Sequence, residues 1–185
     1  MSVSDEQLVE RAQTAIQGDL RAFDELVRRH QAKVQTNARY LTGSEDDALD
    51  LSQDVFVKAY FHLKRFEGRS SFGTWVQRIK VNHCLNHIRK TKGKTFVDVE
   101  DPVLEAEAPM RTAARTDAEV EADDVRGRIG GTLDRMADTL RVPLLMRDMD
   151  GFSYQEISDE LGVGLSAVKM RIKRAREEFR ALYGA

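Results

Sequence analysis

Residues 153–176, SYQEISDELGVGLSAVKMRIKRAR, have the layout of two short helices around a glycine turn. Ser153 and Glu156 stand at the spacing of a capping box, in which hydroxyl and carboxylate each satisfy the other residue's backbone N–H. Ile157 and Leu161 then share one face, and Gly162 permits the sharp turn. Val168, Ile172, Ala175 and Phe179 recur at three and four residues and give the second helix a buried stripe. Its outer face is left to Lys169, Arg171, Lys173, Arg174 and Arg176, the electrostatic footprint of a helix lying in a DNA major groove. A solvated basic helix closing an ordinary bundle would show the same pattern, so the rest of the chain must decide. That rest is acidic: 29 Lys and Arg stand against 31 Asp and Glu, a formal net charge of -2.

Working outward, 185 residues with 41% hydrophobic content suffice for one large or two small cores. The single cysteine, Cys84, cannot form an internal disulfide, and the N-terminus MSVSDEQLVERAQ lacks a basic, then apolar, leader pattern. No segment approaches the roughly 20 apolar residues of a membrane span. The expectation is a reduced, cytoplasmic protein without membrane insertion.

The first half reads as four helices. Ser4 and Gln7 form a capping box, Leu8, Val9, Ala12 and Ile16 follow on one face, and Gly18 closes the segment. Asp19 opens a second helix carrying Phe23, Leu26, Val27, His30 and Val34, which runs to Leu41 and a left-handed cap at Gly43. Ser44 caps a third, with Ala48, Leu51, Val55, Phe56, Ala59 and Leu63 inward and Asp46, Asp50, Gln53 and Asp54 outward. After the loop KRFEGRSS, Phe72, Trp75, Val76 and Ile79 alternate with Arg78 and Lys80 on a fourth, whose later turns carry Arg89 and Lys90. From 92 to 124 periodicity fades, Pro102 and Pro109 interrupt, and carboxylates dominate, which reads as an acidic linker, its end already helical by the spacing from Val120 to Met136. No strand pattern competes. The fold class expected is all-α, with small helical domains at 1–91 and 125–185.

The runs DLSQDVFVKAYFHLKRFEGRSSFGTWVQRIKVNHCLNHIRK (residues 50–90) and LLMRDMDGFSYQEISDELGVGLSAVKMRIKRARE (144–177) resemble regions 2 and 4 of bacterial extracytoplasmic-function sigma factors. The order of the blocks and the acidic linker match as well. The resemblance implies a promoter-specificity subunit of RNA polymerase, not itself an enzyme and without a cofactor. Its implied partners are core polymerase, through the clamp helices of the largest subunit and the flap, promoter DNA as duplex and single strand, and an anti-sigma factor that holds it at the inner membrane. This accounts for the net charge. A subunit of a larger DNA-binding machine need not supply all the phosphate affinity itself, and excess basic charge would favour non-promoter DNA.

Residue by residue, the resemblance assigns Asp50, Gln53 and Asp54 to polymerase docking, with Ser52 in place of a usual aliphatic residue. It assigns Phe66, Gly68, Ser70, Ser71, Phe72, Trp75, Arg78 and Asn82 to the minus-10 element, read as single strand by aromatics, amides and relieved backbone. Trp75 stands at core spacing, which favours a core residue over a strand contact, and Asn86, where the family commonly has Asp, receives no role. Arg147, Tyr154, Ser166, Lys169, Met170, Arg171, Lys173, Arg174 and Arg176 are assigned to the minus-35 duplex, with Met170 and Lys173 departing from the usual residues. Pro143 lies inside a helix the family expects, which suggests that this helix starts late. His83 and His87, at i and i+4 beside Cys84, could share a helix face toward zinc, but a structural site needs four ligands and no second cluster is present, so no metal is expected. A stand-alone helix-turn-helix transcriptional regulator with an N-terminal helical sensing domain is the competing class; it has no reason to carry Asp50, Gln53 and Asp54 beside the 66–82 segment. An enzyme fails for want of a convergent nucleophile, base or metal set.

Overall fold

The structure is a computed structural model that describes residues 3–16, 19–93 and 117–184. These residues form helices without a strand among them: α1 (Asp5–Thr14), α2 (Arg21–Thr42), α3 (Glu45–His62) with a 3-10 turn at Leu63–Arg65, α4 (Phe72–Lys92), α5 (Asp117–Asp134), α6 (Asp138–Asp148), α7 (Tyr154–Leu161) and α8 (Leu165–Tyr183). The chain divides into two compact units, Met1–Lys94 and Thr95–Ala185. Much of the stretch read as linker, 94–116, lies outside the described residues, as does Gly18; the helix of α5 begins inside that stretch, at Asp117.

In the first unit the caps form as their chemistry dictates. The Ser4 N–H donates to Gln7 Oε1 at 3.0 Å and the Gln7 N–H to Ser4 Oγ at 3.3 Å. Gly43 takes φ 75° and closes α2 through its N–H to the Arg39 carbonyl at 2.9 Å. Two expectations fail locally. Ile16 lies beyond the end of α1 and is 86% exposed. Asp19 does not cap α2: its carboxylate accepts from the Arg21 N–H at 3.2 Å and grips the Arg21 guanidinium, and the helix opens behind Leu20. Leu8, Phe23, Leu26, Val34, Val55, Ala59, Phe72 and Val76 make the core, so the inward stripes of α1 to α4 meet where periodicity placed them.

The second unit is organised around α6, in which every residue from Leu140 to Met146 is buried. The helix starts directly after Ala137 and runs through Pro143, so the late start expected from that proline is wrong. An interior proline costs about 3 kcal/mol. Burying Val142, Leu144, Leu145 and Met146 returns roughly 1.5 to 3 kcal/mol each, which outweighs one lost hydrogen bond. Gly151, at φ 77°, then turns the chain toward the Ser153 cap.

Candidate nucleic-acid interface

The two-helix element of the opening stretch forms as read. The Ser153 N–H donates to Glu156 at 2.8 Å, the Glu156 N–H donates to Ser153 Oγ at 3.2 Å, and Gly162 sits at φ 68°. Val168, Ile172 and Ala175 are buried, which turns Ser166, Lys169, Met170, Lys173 and Arg174 outward on α8. Met170 is 53% exposed, an apolar side chain amid cations. Lys169, Lys173, Arg176 and Arg180 line one cleft of about 300 Å³ with Tyr154. Arg180 was missed in sequence, although the spacing 169, 173, 176, 180 is a helical stripe. Several assigned residues have internal partners: Arg176 bonds Asp148 at 3.0 and 2.6 Å, which raises its pKa further, Arg147 donates to the Phe152 carbonyl at 2.8 Å while lying over the Tyr154 ring, and Lys173 Nζ lies 4.0 Å from Glu177. Arg171 is half-buried.

The α4 surface is built differently. Phe72, Val76, Gln77, Lys80, Val81, Cys84, Leu85 and Ile88 are buried, leaving Thr74, Arg78, Asn82, Asn86 and Lys90 as an exposed stripe at intervals of four. Lys80, expected on the basic face, is fully buried, so the helix surface is poorer in charge than its sequence. Asn86 shares the stripe with Asn82, a placement the spacing contained. Phe66, Phe72 and Trp75 form an aromatic cluster, with Phe66 and Trp75 centroids 4.8 Å apart, and Trp75 packs against the core. The loop between Phe66 and Phe72 carries Gly68 at φ 70° and borders a groove with α1. Ser71 caps α4 by accepting from the Thr74 N–H, and Ser70 is half-buried.

On α3, Asp50, Gln53 and Asp54 are exposed, as assigned, while Ser52 is buried and its hydroxyl donates to the Ala48 carbonyl at 2.5 Å, so the polar replacement is satisfied inside its own helix. Leu49, Val57 and Phe61 continue that outer face with apolar surface, Phe61 at 73% exposure, which sequence reading did not single out. Asp54 is also tied to α4. Lys58 Nζ, which can only donate, meets His83 Nδ1 at 2.6 Å, so the ring proton sits on Nε2 and donates to Asp54 at 3.1 Å. His87 faces Asp47 at 3.3 Å, and Cys84 is buried. The histidines therefore bridge helices.

Two family models match the chain: Sigma-70 region 2 over residues 26–94 and Sigma-70, region 4 over 126–179. The chain is 32% identical over 180 residues to the ECF RNA polymerase sigma-E factor of Escherichia coli (strain K12), covering 95% of this chain and 92% of the relative. The chain belongs to the extracytoplasmic-function sigma factors. The RNA polymerase sigma-H factor of Pseudomonas aeruginosa is 31% identical over 177 residues, 94% of this chain and 90% of its own. Among solved structures, CnrH in complex with the cytosolic domain of CnrY aligns over 96% of both chains at 27% identity and a TM-score of 0.56. As a sigma factor the chain binds core RNA polymerase and promoter DNA, and it is not an enzyme. The α8 and α4 surfaces thus belong to the two regions the family models match.

Proposed function

We propose that this sigma factor splits promoter recognition between two chemistries and draws its polymerase affinity from a third surface. Asp50, Gln53 and Asp54 dock on the clamp helices of the largest polymerase subunit. The 66–72 loop, Arg78 and Asn82 hold melted minus-10 bases. Tyr154, Ser166, Lys169, Met170, Lys173 and Arg174 face the minus-35 duplex, while Arg147 and Arg176 position that element through their internal partners. The observation that carries the proposal is the contrast between the outward stripes: mostly amide and hydroxyl on α4, mostly cationic on α8. Cations suit the phosphates and guanine edges of duplex DNA; amides and aromatics suit exposed bases. The protein acts in the cytoplasm, where an anti-sigma factor holds it at the inner membrane; among the described residues no helix is long and apolar enough to cross one.

The test is association with core. Reversing the exposed pair, Asp50→Arg with Asp54→Arg, costs little stability but opposes a basic partner surface. The double variant should fold as wild type and fail to co-purify with core polymerase. Wild-type levels of association would remove the docking assignment.

A further inference from the structure

Helix α1 lies outside the segment that the region 2 model matches, which begins at residue 26. It nevertheless forms one wall of a groove of about 540 Å³ whose other wall is the 66–72 loop. The groove's apolar lining comes from Val9, Phe66 and Phe72, and exposed carboxylates stand on both walls, Glu6 and Glu10 on α1 and Glu67 on the loop. A rim of carboxylates repels phosphate, so the groove suits an uncharged group whose phosphate backbone stays outside. An unstacked base meets that description: its face lies on aromatic and aliphatic carbon, and its amino or imino hydrogens meet acceptors.

Gln13 joins this helix to the loop. Its Nε2 donates to the Leu63 carbonyl at 2.9 Å and to the Phe66 carbonyl at 2.8 Å. These carbonyls bracket the 3-10 turn, where the chain leaves α3 and enters the loop. Both partners are acceptors, so only the NH₂ end of the amide can fill the position, and both of its hydrogens are used. The Phe66 N–H also donates to the Leu63 carbonyl at 2.9 Å, so one carbonyl serves the turn and the tie to α1 together. On the opposite side α1 is held to α2 by Asp5, which accepts from Arg29 at 2.9 Å and meets His30 at 2.6 Å. The helix is thus anchored at its start and holds the loop near its end.

We infer that α1 is part of the strand-reading surface of this sigma factor, and that Gln13 is a positioning residue fixing the groove in which a melted promoter base is held. The inference rests on the proposal that the 66–72 loop reads single-stranded DNA. Gln13→Glu keeps the side-chain size but replaces the two donors with acceptors facing carbonyls; Gln13→Lys changes the shape but restores donors.

The probe is a single-stranded DNA selected by the wild-type holoenzyme from a randomised pool, with a minus-35 duplex as a second probe. In the holoenzyme, Gln13→Glu should lose at least fivefold in single-strand affinity and Gln13→Lys should stay within about threefold of wild type. Both should bind the duplex normally. A role confined to general stability would lower the unfolding temperature of both variants without separating donor from acceptor. Glu10→Trp, at an exposed position on the rim, fills the groove without touching the core and should lose at least tenfold. If Gln13→Glu no longer assembles with core, the Glu10→Trp result decides alone. Normal single-strand affinity in Glu10→Trp, or in an assembled Gln13→Glu, overturns the inference. Asn82→Ala separates the two levels: if it weakens single-strand binding while the α1 variants do not, α1 is excluded and the loop proposal stands. If none of the three has an effect, both fail.

Discussion

Helices α4 and α8 both carry clusters of Arg and Lys, yet they present opposite surfaces. On α8 the apolar stripe Val168, Ile172 and Ala175 is buried, and the exposed face keeps Lys169, Lys173 and Arg174. On α4 two adjacent rows are buried, Lys80 with them, and the outer stripe is left with Thr74, Asn82 and Asn86 beside the cations Arg78 and Lys90. A helix packed on one side can display its charge. A helix wrapped by α2 and α3 internalises part of it and displays amides. Under the proposed function, this difference would let one chain of net charge -2 address both forms of promoter DNA, with cations on the duplex and neutral contacts on the strand.

The sharpest way to strain this comparison is to ask what a buried cation does. Arg141 is 3% exposed, pairs with Asp138 at 2.5 Å and donates to the Leu133 carbonyl at 3.4 Å. Arg141→Ala leaves the Asp138 carboxylate buried without this partner and should cost about 3 to 5 kcal/mol of the second unit's stability. Lys173→Ala, at an exposed position, should change stability by less than about 0.5 kcal/mol. Urea unfolding of the two variants measures both. Equal effects would show that burial does not separate the cations.

A middle-sized effect concerns salt. With the holoenzyme, Lys173→Ala or Arg174→Ala should cost about 1 to 3 kcal/mol if the contact is a bidentate base contact, and loss of a phosphate contact should flatten the salt dependence by about one unit of slope. Asn82→Ala should leave the slope unchanged. Filter binding over a salt series reads it, and a flattened slope for Asn82→Ala would place α4 on phosphates instead.

The smallest expected effect is on the clamp that holds α1. Burial alone would raise the Asp5 carboxyl, but its hydrogen bonds to His30 and Arg29 more than offset this and hold it below the ordinary value of 3.8. Glu25, bonded by Arg28 and Arg29, is lowered to about 2. Carboxyls lowered by folding contribute stability that is complete above their unfolded values, near pH 4, and is lost as pH falls through the folded ones. The first unit should therefore weaken between about pH 4 and pH 2, and Asp5→Asn should weaken less steeply over that window. An identical acid profile for Asp5→Asn would show that the Asp5 clamp contributes nothing.

Much of this was legible in the sequence because it is local. The capping pairs Ser4–Gln7 and Ser153–Glu156, the glycines at positive φ and the inward rows of α3 depend on residues three or four apart. What escaped depends on neighbours distant in the chain. Nothing near Lys80 states that α4 is packed on two sides, and nothing near Pro143 states that its helix is buried along most of its length. The Gln13 bonds span 50 and 53 residues, and the His83 to Asp54 contact spans 29. Asn86 and Arg180 are the exceptions. Their helical spacing to Asn82 and Lys173 is local and stands in the sequence.

The most direct test of the division between α4 and α8 compares Asn82→Ala and Arg174→Ala holoenzymes on matched duplex and pre-melted promoters. Filter binding reports binding, and permanganate reactivity reports strand opening. Arg174→Ala should weaken duplex binding, with opening reduced in proportion. Asn82→Ala should keep upstream duplex binding, lose opening, and recover only partly on the bubble, because a bubble removes the cost of unpairing but still requires its bases to be held. Equal loss of duplex binding in the two variants, with opening falling in step, would contradict the division.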